Sequence, residues 1–380
     1  MTVFKLAFPR VNYSGVGAIE ALTERLIESH GSEKGLLISD PALVSLGFAE
    51  KILNSGLNID LFDDVRPNPD TNTVNQAYSK YVEVGAQFII GFGGGSSIDT
   101  AKAVKILSAN EGPIAAFNGI EKVKHAGAPL YAINSTAGTA AEVTSNAVIT
   151  DTKTHVKHVI ISDKIIPDIS VNDPSIMLDI PSSVTAATGI DALTHAVESY
   201  VSVGAHALTD YVSLEAISAI SQNLPLVVDN GKNIEAREKV ALGQFIAGLS
   251  FNSAGLGMVH AMAHPAGAHK DLPHGVCNAI LLPIVCEYNR SHRVEKFAKV
   301  AKALGVDTSD MSEEQASEAA ISALHELNRR VGIPSGFGQL GVSEEDTLSW
   351  VPDALADPCA GGNPYPMPKE DIIDIYRQAL

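Results

Sequence analysis

Two short segments of this sequence place an aspartate and several histidines at spacings that suit a metal ion. Asp191 and His195 lie four residues apart in GIDALTHAVESY, and His260 and His264 repeat that spacing in GLGMVHAMAHPAG. Residues four apart project from the same face of a helix, so each pair is predicted to share a helical face. His274 follows within PHG, beside a predicted turn. An oxygen and imidazole nitrogens that converge from separate helices suit a divalent first-row metal.

The density of histidines makes a ligand cluster the better interpretation. His260, His264, His269 and His274 fall within fifteen residues of otherwise apolar sequence. A lone buried histidine or aspartate is more often a hydrogen-bonded structural residue. The HExxH zinc motif is excluded, because Ala261 stands where that motif needs glutamate. Spacing alone leaves open which of His260, His264 and His269 bind the metal.

A glycine-rich turn, IIGFGGGSSIDTAKA, joins a predicted strand to a predicted helix. Gly93, Gly94 and Gly95 can take positive φ and let a phosphate approach the backbone closely. We expect Ser96 and Ser97 to cap the helix and to leave its free N–H groups facing that phosphate. A plain tight turn is the alternative, and the composition favours phosphate binding. The spacing is not GxGxxG, and the turn does not follow the first strand.

Asp40 ends the apolar run GLLIS, where strands of open sheets present ligand-binding residues. A carboxylate there could accept hydrogen bonds from an adenine ribose and repel a 2′-phosphate. It could equally cap the helix that begins at Pro41. Spacing alone does not separate these two interpretations.

The order of predicted elements indicates two domains. Strand-like and helix-like segments alternate in the first half, which favours a mostly parallel, Rossmann-like α/β sheet covered on both faces. The predicted strands are 35–39, 57–62, 87–91 and 129–134, and the predicted helices are 43–53, 71–84 and one that begins near residue 98. Helical patterns then dominate, at 182–203, 208–224, 234–254 and 314–331. We therefore predict an α/β domain over residues 1–181 and an all-α domain over residues 182–380.

Composition bounds the class of protein. The 380 residues are 45% hydrophobic and 19% charged, which is globular composition. The net charge of −17 without a basic cluster argues against nucleic acid or an anionic membrane as a partner. Neither a membrane-spanning run nor a secretory signal is evident. Three cysteines without a CxxC pair predict a reducing, cytoplasmic location, and we interpret Cys277 as a core residue.

Several motifs together resemble the iron-containing (group III) alcohol dehydrogenases. GMVHAMAHPAGAHKDLPHG, from Gly257 to Gly275, follows the family pattern GxxHxxAHxxGxxxxxPHG. GIDALTHAVESY, GGGSSIDTAKA, STAGTAAEVT, RPNPD and PCAGGNP are similar to further signatures of the family, so the resemblance runs nearly end to end. Within the family, the sequence resembles the bacterial NAD-linked branch that contains ethanol dehydrogenase, lactaldehyde reductase and 1,3-propanediol dehydrogenase.

The resemblance implies a role for each matching residue. The metal ligands would be Asp191, His195, His260 and His274, and His264 would be a non-ligand catalytic histidine beside the substrate. The NAD site would be formed by Asp40, Asn68, Gly94, Gly95, Ser96, Asp99, Ser135, Thr136, Thr139, Asn146, Lys157 and Leu178. The family fold places the active site in the cleft between an amino-terminal dinucleotide-binding domain and a carboxyl-terminal helical domain. Iron(II) is the family metal, and zinc would bind such ligands at least as well.

The implied activity is metal-dependent hydride transfer between a small primary alcohol, or diol, or its aldehyde, and NAD(H). The metal would act as a Lewis acid, and His264 would relay the proton. The alternatives are a zinc-dependent glycerol dehydrogenase-like enzyme and a non-catalytic protein that binds metal and NAD. His269 and Lys270 depart from an often aromatic stretch, which would matter if they lined the pocket. By analogy with the family we expect a homodimer or larger homo-oligomer, and residues 3–6 are a candidate edge strand for it.

Overall fold

The computed structural model describes residues 3–152 and 157–380, and it consists of two compact units. One unit comprises Ala7–Thr136 and Ala140–Met177. The other comprises the amino-terminal residues up to Leu6, Ala137–Thr139 and Leu178–Leu380.

The first unit is built on a six-stranded sheet in which every neighbouring pair of strands is parallel. Together with a second sheet, the strands are β1 (Val11–Ser14), β2 (Gly35–Ile38), β3 (Ile59–Phe62), β4 (Phe88–Gly93), β5 (Gly119–Ile120), β6 (Leu130–Asn134), β7 (Asn146–Thr150), β8 (Lys157–Ile161) and β9 (Ile169–Asn172). The six-stranded sheet has the order β1-β9-β6-β4-β2-β3. Parallel neighbours place all their carboxyl ends at one edge, which is where open α/β sheets bind ligands.

Helices cover this sheet, as the alternating pattern predicts. They are α1 (Ala18–His30), α2 (Pro41–Ser45), α3 (Glu50–Leu53), α4 (Thr71–Val84) and α5 (Gly95–Leu107). All residues of β2, β4 and β6 are buried, which explains why these three strands were visible as continuous apolar runs.

The single helix predicted over 43–53 is wrong. The chain forms two short helices there, α2 and α3, and Gly47 between them has a φ of 80°. A positive φ is a conformation that glycine adopts without steric cost, and it cannot continue a right-handed helix.

The sequence did not predict the edge strand β1, its neighbour β9, or the small sheet of order β5-β8-β7. β9, with the sequence ISVN, is fully buried, although two of its four residues are polar. Its pairing with both β1 and β6 supplies the hydrogen bonds that make burial tolerable, and those partners are distant in the chain.

The second unit is helical. It contains α6 (Ser182–Val201), α7 (Ala207–Asp229), α8 (Ile234–Ala254), α9 (Met258–Lys270), α10 (His274–Arg290), α11 (Val294–Ala303), α12 (Glu313–Arg330), α13 (Glu344–Ala356) and α14 (Lys369–Gln378). The predicted end of a helix at residue 224 is too early, because α7 continues through Pro225 to Asp229. Proline weakens a helix interior, but Leu224 and Val227 on either side of it are fully buried, so packing holds the helix together.

The amino-terminal residues 3–6 lie in an irregular conformation within this second unit rather than in a strand. Among the described residues, no single helix has both the length and the apolar composition to cross a membrane. Within the described part of the chain, one pair of helices, α8 and α9, reaches that length and apolar composition when taken together, and the two are bent by 104° to each other.

Candidate functional site

Helix α6 carries Asp191 and His195 on one buried face. Their side chains are 3% and 4% exposed, and nearly every residue from Gly189 to Val201 is buried. The His195 ring stacks on Phe251 of α8, with 4.3 Å between ring centroids. A carboxylate and an imidazole in so apolar a helix are costly unless something polar or cationic meets them.

Helices α9 and α10 bring two further histidines, His260 and His274, to this face. Nε2 of His260 lies 3.8 Å and Nε2 of His274 lies 3.7 Å from the same oxygen, Oδ1 of Asp191. The ligand atoms of Asp191, His195 and His260 all lie within 4.8 Å of one another. Of the four ligands that the family resemblance implies, Asp191, His195 and His260 therefore form one group, and His274 adjoins it through its contact with Asp191.

A glycine allows this convergence. A methyl group placed on Gly275, at the start of α10, would clash with the carbonyl oxygen of Ala187 in α6 and lie 3.4 Å from Cβ of Asp191. Only glycine lets the backbone of α10 approach α6 this closely. The glycine of the PHG motif thus places His274 against Asp191.

The donor set fits a divalent ion. Burial lowers the pKa of His195 below its ordinary value, and burial lowers the pKa of His260 well below it, with His195 and His274 adding to the effect. Neutral imidazoles are the form that binds metal. One carboxylate oxygen and three imidazole nitrogens are ligands for iron(II) or zinc.

Glu198 supports this centre, and the sequence analysis assigned it no role. Its Oε2 lies 2.5 Å from Nδ1 of His260, and its Oε1 accepts a hydrogen bond from the backbone N–H of Val259 at 2.7 Å. Burial raises the pKa of Glu198 to about 8, and a cation bound at the centre would lower this pKa and favour the charged carboxylate. A carboxylate behind a ligating histidine fixes which ring nitrogen faces the metal. Its position three residues after His195, on the same helical face, was the available signal.

Asn278 is the second residue that the sequence analysis missed. Its Nδ2 donates to Oδ1 of Asp191 at 2.7 Å and lies 3.1 Å from Nε2 of both His260 and His274. The side chain is fully buried. Its amide nitrogen therefore contacts three of the four candidate ligands at once, at the same atoms that would face an ion. It follows His274 by one helical turn, which was the only sequence signal.

His264 lies beside the centre, with its own partner. Its Nδ1 is 2.7 Å from Oδ2 of Asp357, and its ring stacks on His274 with 5.4 Å between centroids. Asp357 follows α13 and was not predicted, since it lies 93 residues away along the chain. An imidazole held by a carboxylate at one nitrogen presents the other nitrogen in a defined state.

His269 and Lys270 lie at the surface, away from these contacts. His269 pairs with Asp353 at 2.7 Å and Lys270 with Asp346 at 2.9 Å, both on α13. Of the three histidines that spacing left open, His269 is thus engaged elsewhere. Cys277 is fully buried, as expected for a core residue.

The glycine turn lies at the carboxyl edge of the parallel sheet. Gly93 ends β4 with a φ of 149°, and a methyl group there would lie 2.5 Å from Oγ of Ser97. The expectation that Ser96 and Ser97 cap the helix is wrong: Gly94 is the N-cap and α5 begins at Gly95. Both serines lie inside the first turn, where backbone N–H groups lack helical acceptors and suit an anion.

Asp40 does cap helix α2. Its Oδ1 accepts hydrogen bonds from the backbone N–H groups of Ala42 and Leu43, both at 3.0 Å. Its Oδ2 lies near the glycine turn, 3.2 Å from where a Cβ on Gly93 would be. The cap therefore accounts for one carboxylate oxygen, and the predicted ribose contact concerns the other.

The segment STAGT follows β6 at the same edge. The N–H of Thr136 donates to Oδ1 of Asn134 at 3.2 Å, and a methyl group on Gly94 would lie 3.6 Å from Oγ1 of Thr136. Ser135 is buried. Thr139 belongs with Ala137 and Gly138 to the helical unit.

The remaining predicted cofactor residues differ in their surroundings. The carboxylate of Asp99 is half-buried and accepts a hydrogen bond from the N–H of Val148 at 3.0 Å, and removal from water raises its pKa to about 6. It thereby ties α5 to β7. The carbonyl oxygen of Asn146 accepts from the buried Nζ of Lys102 at 2.7 Å. These contacts anchor the helix that carries the glycine turn.

Two predicted residues do meet. Nζ of Lys157 donates to Oδ1 of Asn68 at 3.2 Å on the exposed side of the α/β unit. Leu178 is half-buried at the beginning of the helical unit, with its carbonyl oxygen 3.3 Å from the position a Cβ on Gly231 would take. The cofactor roles of all these residues remain predictions.

Comparison with known protein families identifies two matches along this chain. Residues 9–174 match the family described as "Iron-containing alcohol dehydrogenase", and residues 185–380 match the one described as "Fe-containing alcohol dehydrogenase family, C-terminal". The chain belongs to the iron-containing alcohol dehydrogenase family.

Individual relatives match over the whole chain. A 1,3-propanediol dehydrogenase of Citrobacter freundii is 41% identical over 100% of this chain and 99% of its own length. A lactaldehyde reductase of Escherichia coli (strain K12) is 42% identical over 96% of both chains. A crystal structure of a 1,3-propanediol oxidoreductase superposes with a TM-score of 0.97 and 40% identity, covering 100% of each chain.

Replacing Glu198 by glutamine tests its support of the centre. Glutamine keeps the shape but removes the charge behind His260, so we expect metal affinity to fall by about 10- to 100-fold. Competition with a chelator, followed by measurement of bound metal, gives that affinity. Glu215→Gln, an exposed position on α7, is the control and should leave affinity unchanged. Equal affinity in both variants would contradict the role of Glu198.

Proposed function

We propose that this protein is an NAD-dependent alcohol dehydrogenase of the iron type, which transfers a hydride between a small primary alcohol or diol, or its aldehyde, and NAD(H). The observation that carries the proposal is the grouping of ligand atoms from Asp191, His195 and His260 within 4.8 Å of one another, with Nε2 of His274 3.7 Å from Oδ1 of the same aspartate. We also propose a division of labour, with residues 1–181 binding NAD and residues 182–380 holding the metal.

The four side chains would hold iron(II), with zinc as the alternative ion. When bound there, the ion supplies Lewis acidity to the oxygen of an alcohol or aldehyde. Asp191 is the single anion among the four, so these residues neutralise only half the charge of a divalent ion. Glu198 holds His260 through Nδ1 and leaves Nε2 for the ion. The Asn278 amide, which contacts Asp191, His260 and His274, would turn away from those atoms when an ion binds.

NAD supplies the hydride acceptor and, in reverse, NADH the donor. We propose that the amide groups at the start of α5, at Gly94, Gly95 and Ser96, receive the pyrophosphate. Asp40 is proposed to take the adenine ribose and to disfavour a 2′-phosphate. The further contacts are proposed at Asn68, Asp99, Ser135, Thr136, Thr139, Asn146, Lys157 and Leu178. Asp99 would act through its anchoring of α5 rather than by direct contact.

His264 is proposed as the proton relay. Its Nδ1 faces the Asp357 carboxylate, so the neutral ring carries its hydrogen there and leaves a lone pair on Nε2. It is half-buried, so a proton on Nε2 can reach solvent. Its stacking on His274 keeps this nitrogen near the metal ligands.

The relatives define the substrate class. Two proteins that are similar to this chain over nearly its full length are named for 1,3-propanediol and lactaldehyde, and both compounds are small and oxygenated. They do not favour the glycerol dehydrogenase-like or the non-catalytic alternative. We therefore propose small primary alcohols, short diols and the matching aldehydes as substrates.

We further propose a homodimer or larger homo-oligomer in a reducing, cytoplasmic setting. Val3 and Phe4, in the segment suggested for dimer contacts, are 95% and 50% exposed. Cys277 and Cys286 are buried free thiols. These observations support the proposal.

The activity depends on the metal if the proposal is right. Purified protein should form NADH with 1,3-propanediol, 1,2-propanediol or ethanol, followed by absorbance. Verified removal of metal with a chelator should abolish turnover, and iron(II) or zinc should restore part of it. Full turnover without metal, or turnover restricted to glycerol, would contradict the proposal.

Asp40→Ser separates the ribose contact from the helix cap. Serine still caps α2 but carries no charge, so we expect the preference for NAD over NADP, as a ratio of kcat/KM values, to fall by about tenfold. Asp70→Ser is the matched control, because Asp70 caps α4 in the same way through the N–H of Thr73. If both variants keep the wild-type preference, Asp40 is only a cap.

His264→Ala should keep its metal and lose rate, because the relay is removed while the four ligands remain. We expect kcat to fall by about 10²- to 10⁴-fold. His269→Ala, on the same helix but paired with Asp353 at the surface, is the control and should be near wild type. Metal content and kcat are measured together, and loss of metal from His264→Ala would show that the ligand assignment is wrong.

A further inference from the structure

A second group of metal-ligating side chains lies next to the first, formed by His264, Asp357 and Cys359. An imidazole nitrogen, a carboxylate oxygen and the thiol sulfur of these residues all lie within 4.8 Å of one another. None of the three is among the four proposed metal ligands. All three are half-buried, so an ion from solvent can reach them.

The backbone holds this group in place. Asp357 caps the short 3-10 helix Pro358–Gly362, and its Oδ1 accepts the N–H of Cys359 at 2.8 Å. Its Oδ2 faces Nδ1 of His264 at 2.7 Å. The carboxylate therefore lies between the imidazole from α9 and the thiol from the segment that follows α13.

The charge distribution favours a cation. Burial works to raise the pKa of Asp357, but hydrogen bonds from His264 and Cys359 outweigh it and hold that pKa below its ordinary value. Asp357 is therefore an anion at neutral pH. Burial, with the nearby Asp357 charge, raises the pKa of the Cys359 thiol well above its ordinary value. The sulfur thus keeps its proton until an ion strong enough to displace it binds.

We propose that His264, Asp357 and Cys359 form a second cation site that takes a thiophilic divalent ion, Zn²⁺ or Cd²⁺. Sulfur, nitrogen and carboxylate oxygen are all zinc ligands, and three protein ligands leave a fourth position for water. The thiol is what distinguishes this site, because soft ions prefer thiolate whereas the four-residue centre offers only nitrogen and oxygen.

Binding changes the protonation of two groups. The ion bonds to Sγ of Cys359, to a carboxylate oxygen of Asp357 and to Nδ1 of His264. The thiol proton leaves to solvent, and the hydrogen on Nδ1 is replaced by one on Nε2, so one proton is released per ion. Nε2 of His264 then has no lone pair to accept a proton. If His264 is the relay of the proposed function, an ion in this site inhibits the enzyme.

The test is cadmium binding to the iron-loaded protein. We expect the wild type to take up one Cd²⁺ per chain, measured by elemental analysis, while keeping its iron. The ultraviolet charge-transfer band of a cadmium–thiolate bond should appear in step with uptake. Cys359→Ser should lose both the band and the ion. Cys286→Ser, at a buried cysteine outside the group, is the matched control and should keep both.

Asp357→Asn gives a second measurement that does not remove the sulfur. The amide keeps the size of the side chain without its charge, so the affinity for Cd²⁺ should fall by about tenfold or more. An unchanged band in Cys359→Ser, a wild type without the band, or cadmium uptake matched by loss of iron would each overturn the proposal. None of these readouts requires turnover. The second-site proposal can therefore be refuted while the proposed dehydrogenase activity stands, and the activity can be refuted while the second site stands.

Discussion

One carboxylate oxygen organises the metal-binding region of this protein. Oδ1 of Asp191 lies within 4 Å of Nε2 of both His260 and His274 and accepts a hydrogen bond from Asn278. Asp191 lies on α6 and these partners lie on α9 and α10, so the three helices must meet at that atom. A buried carboxylate is costly without partners, and its presence in the apolar interior requires a cation or strong donors around it.

Close packing makes this meeting feasible. The absence of a side chain at Gly275 lets α10 lie against α6, where any larger residue would clash with the backbone at Ala187. Behind the ligands, Glu198 and Asn278 are buried and hydrogen-bonded to them. Glu198 fixes His260 from behind, through Nδ1, and so keeps Nε2 of that ring turned toward the centre.

The proposed cofactor residues depend on a different constraint, the parallel sheet. Asp40, Gly94 and Thr136 come directly after β2, β4 and β6, which are adjacent strands that end at the same edge. Asp99 accepts a hydrogen bond from Val148 in β7, and Lys102 donates to the carbonyl oxygen of Asn146 at the start of β7. These contacts fix the helix that begins at the glycine turn. Polar residues within α5 thus hold the first turn of that helix in place.

The sequence by itself determined the elements whose signals are local. Continuous apolar runs predicted β2, β4 and β6, and the four-residue spacings predicted which residues share a face of α6 and α9. The family motifs proposed the metal and cofactor residues. What only the tertiary structure decided are the pairings between distant parts of the chain. Glu198 behind His260, Asp357 against His264 and Asn278 between the ligands join residues 62, 93 and 87 positions apart, counting Asn278 from Asp191. The break at Gly47 and the passage of α7 through Pro225 belong to the same group, because backbone conformation and packing override local helical preference there.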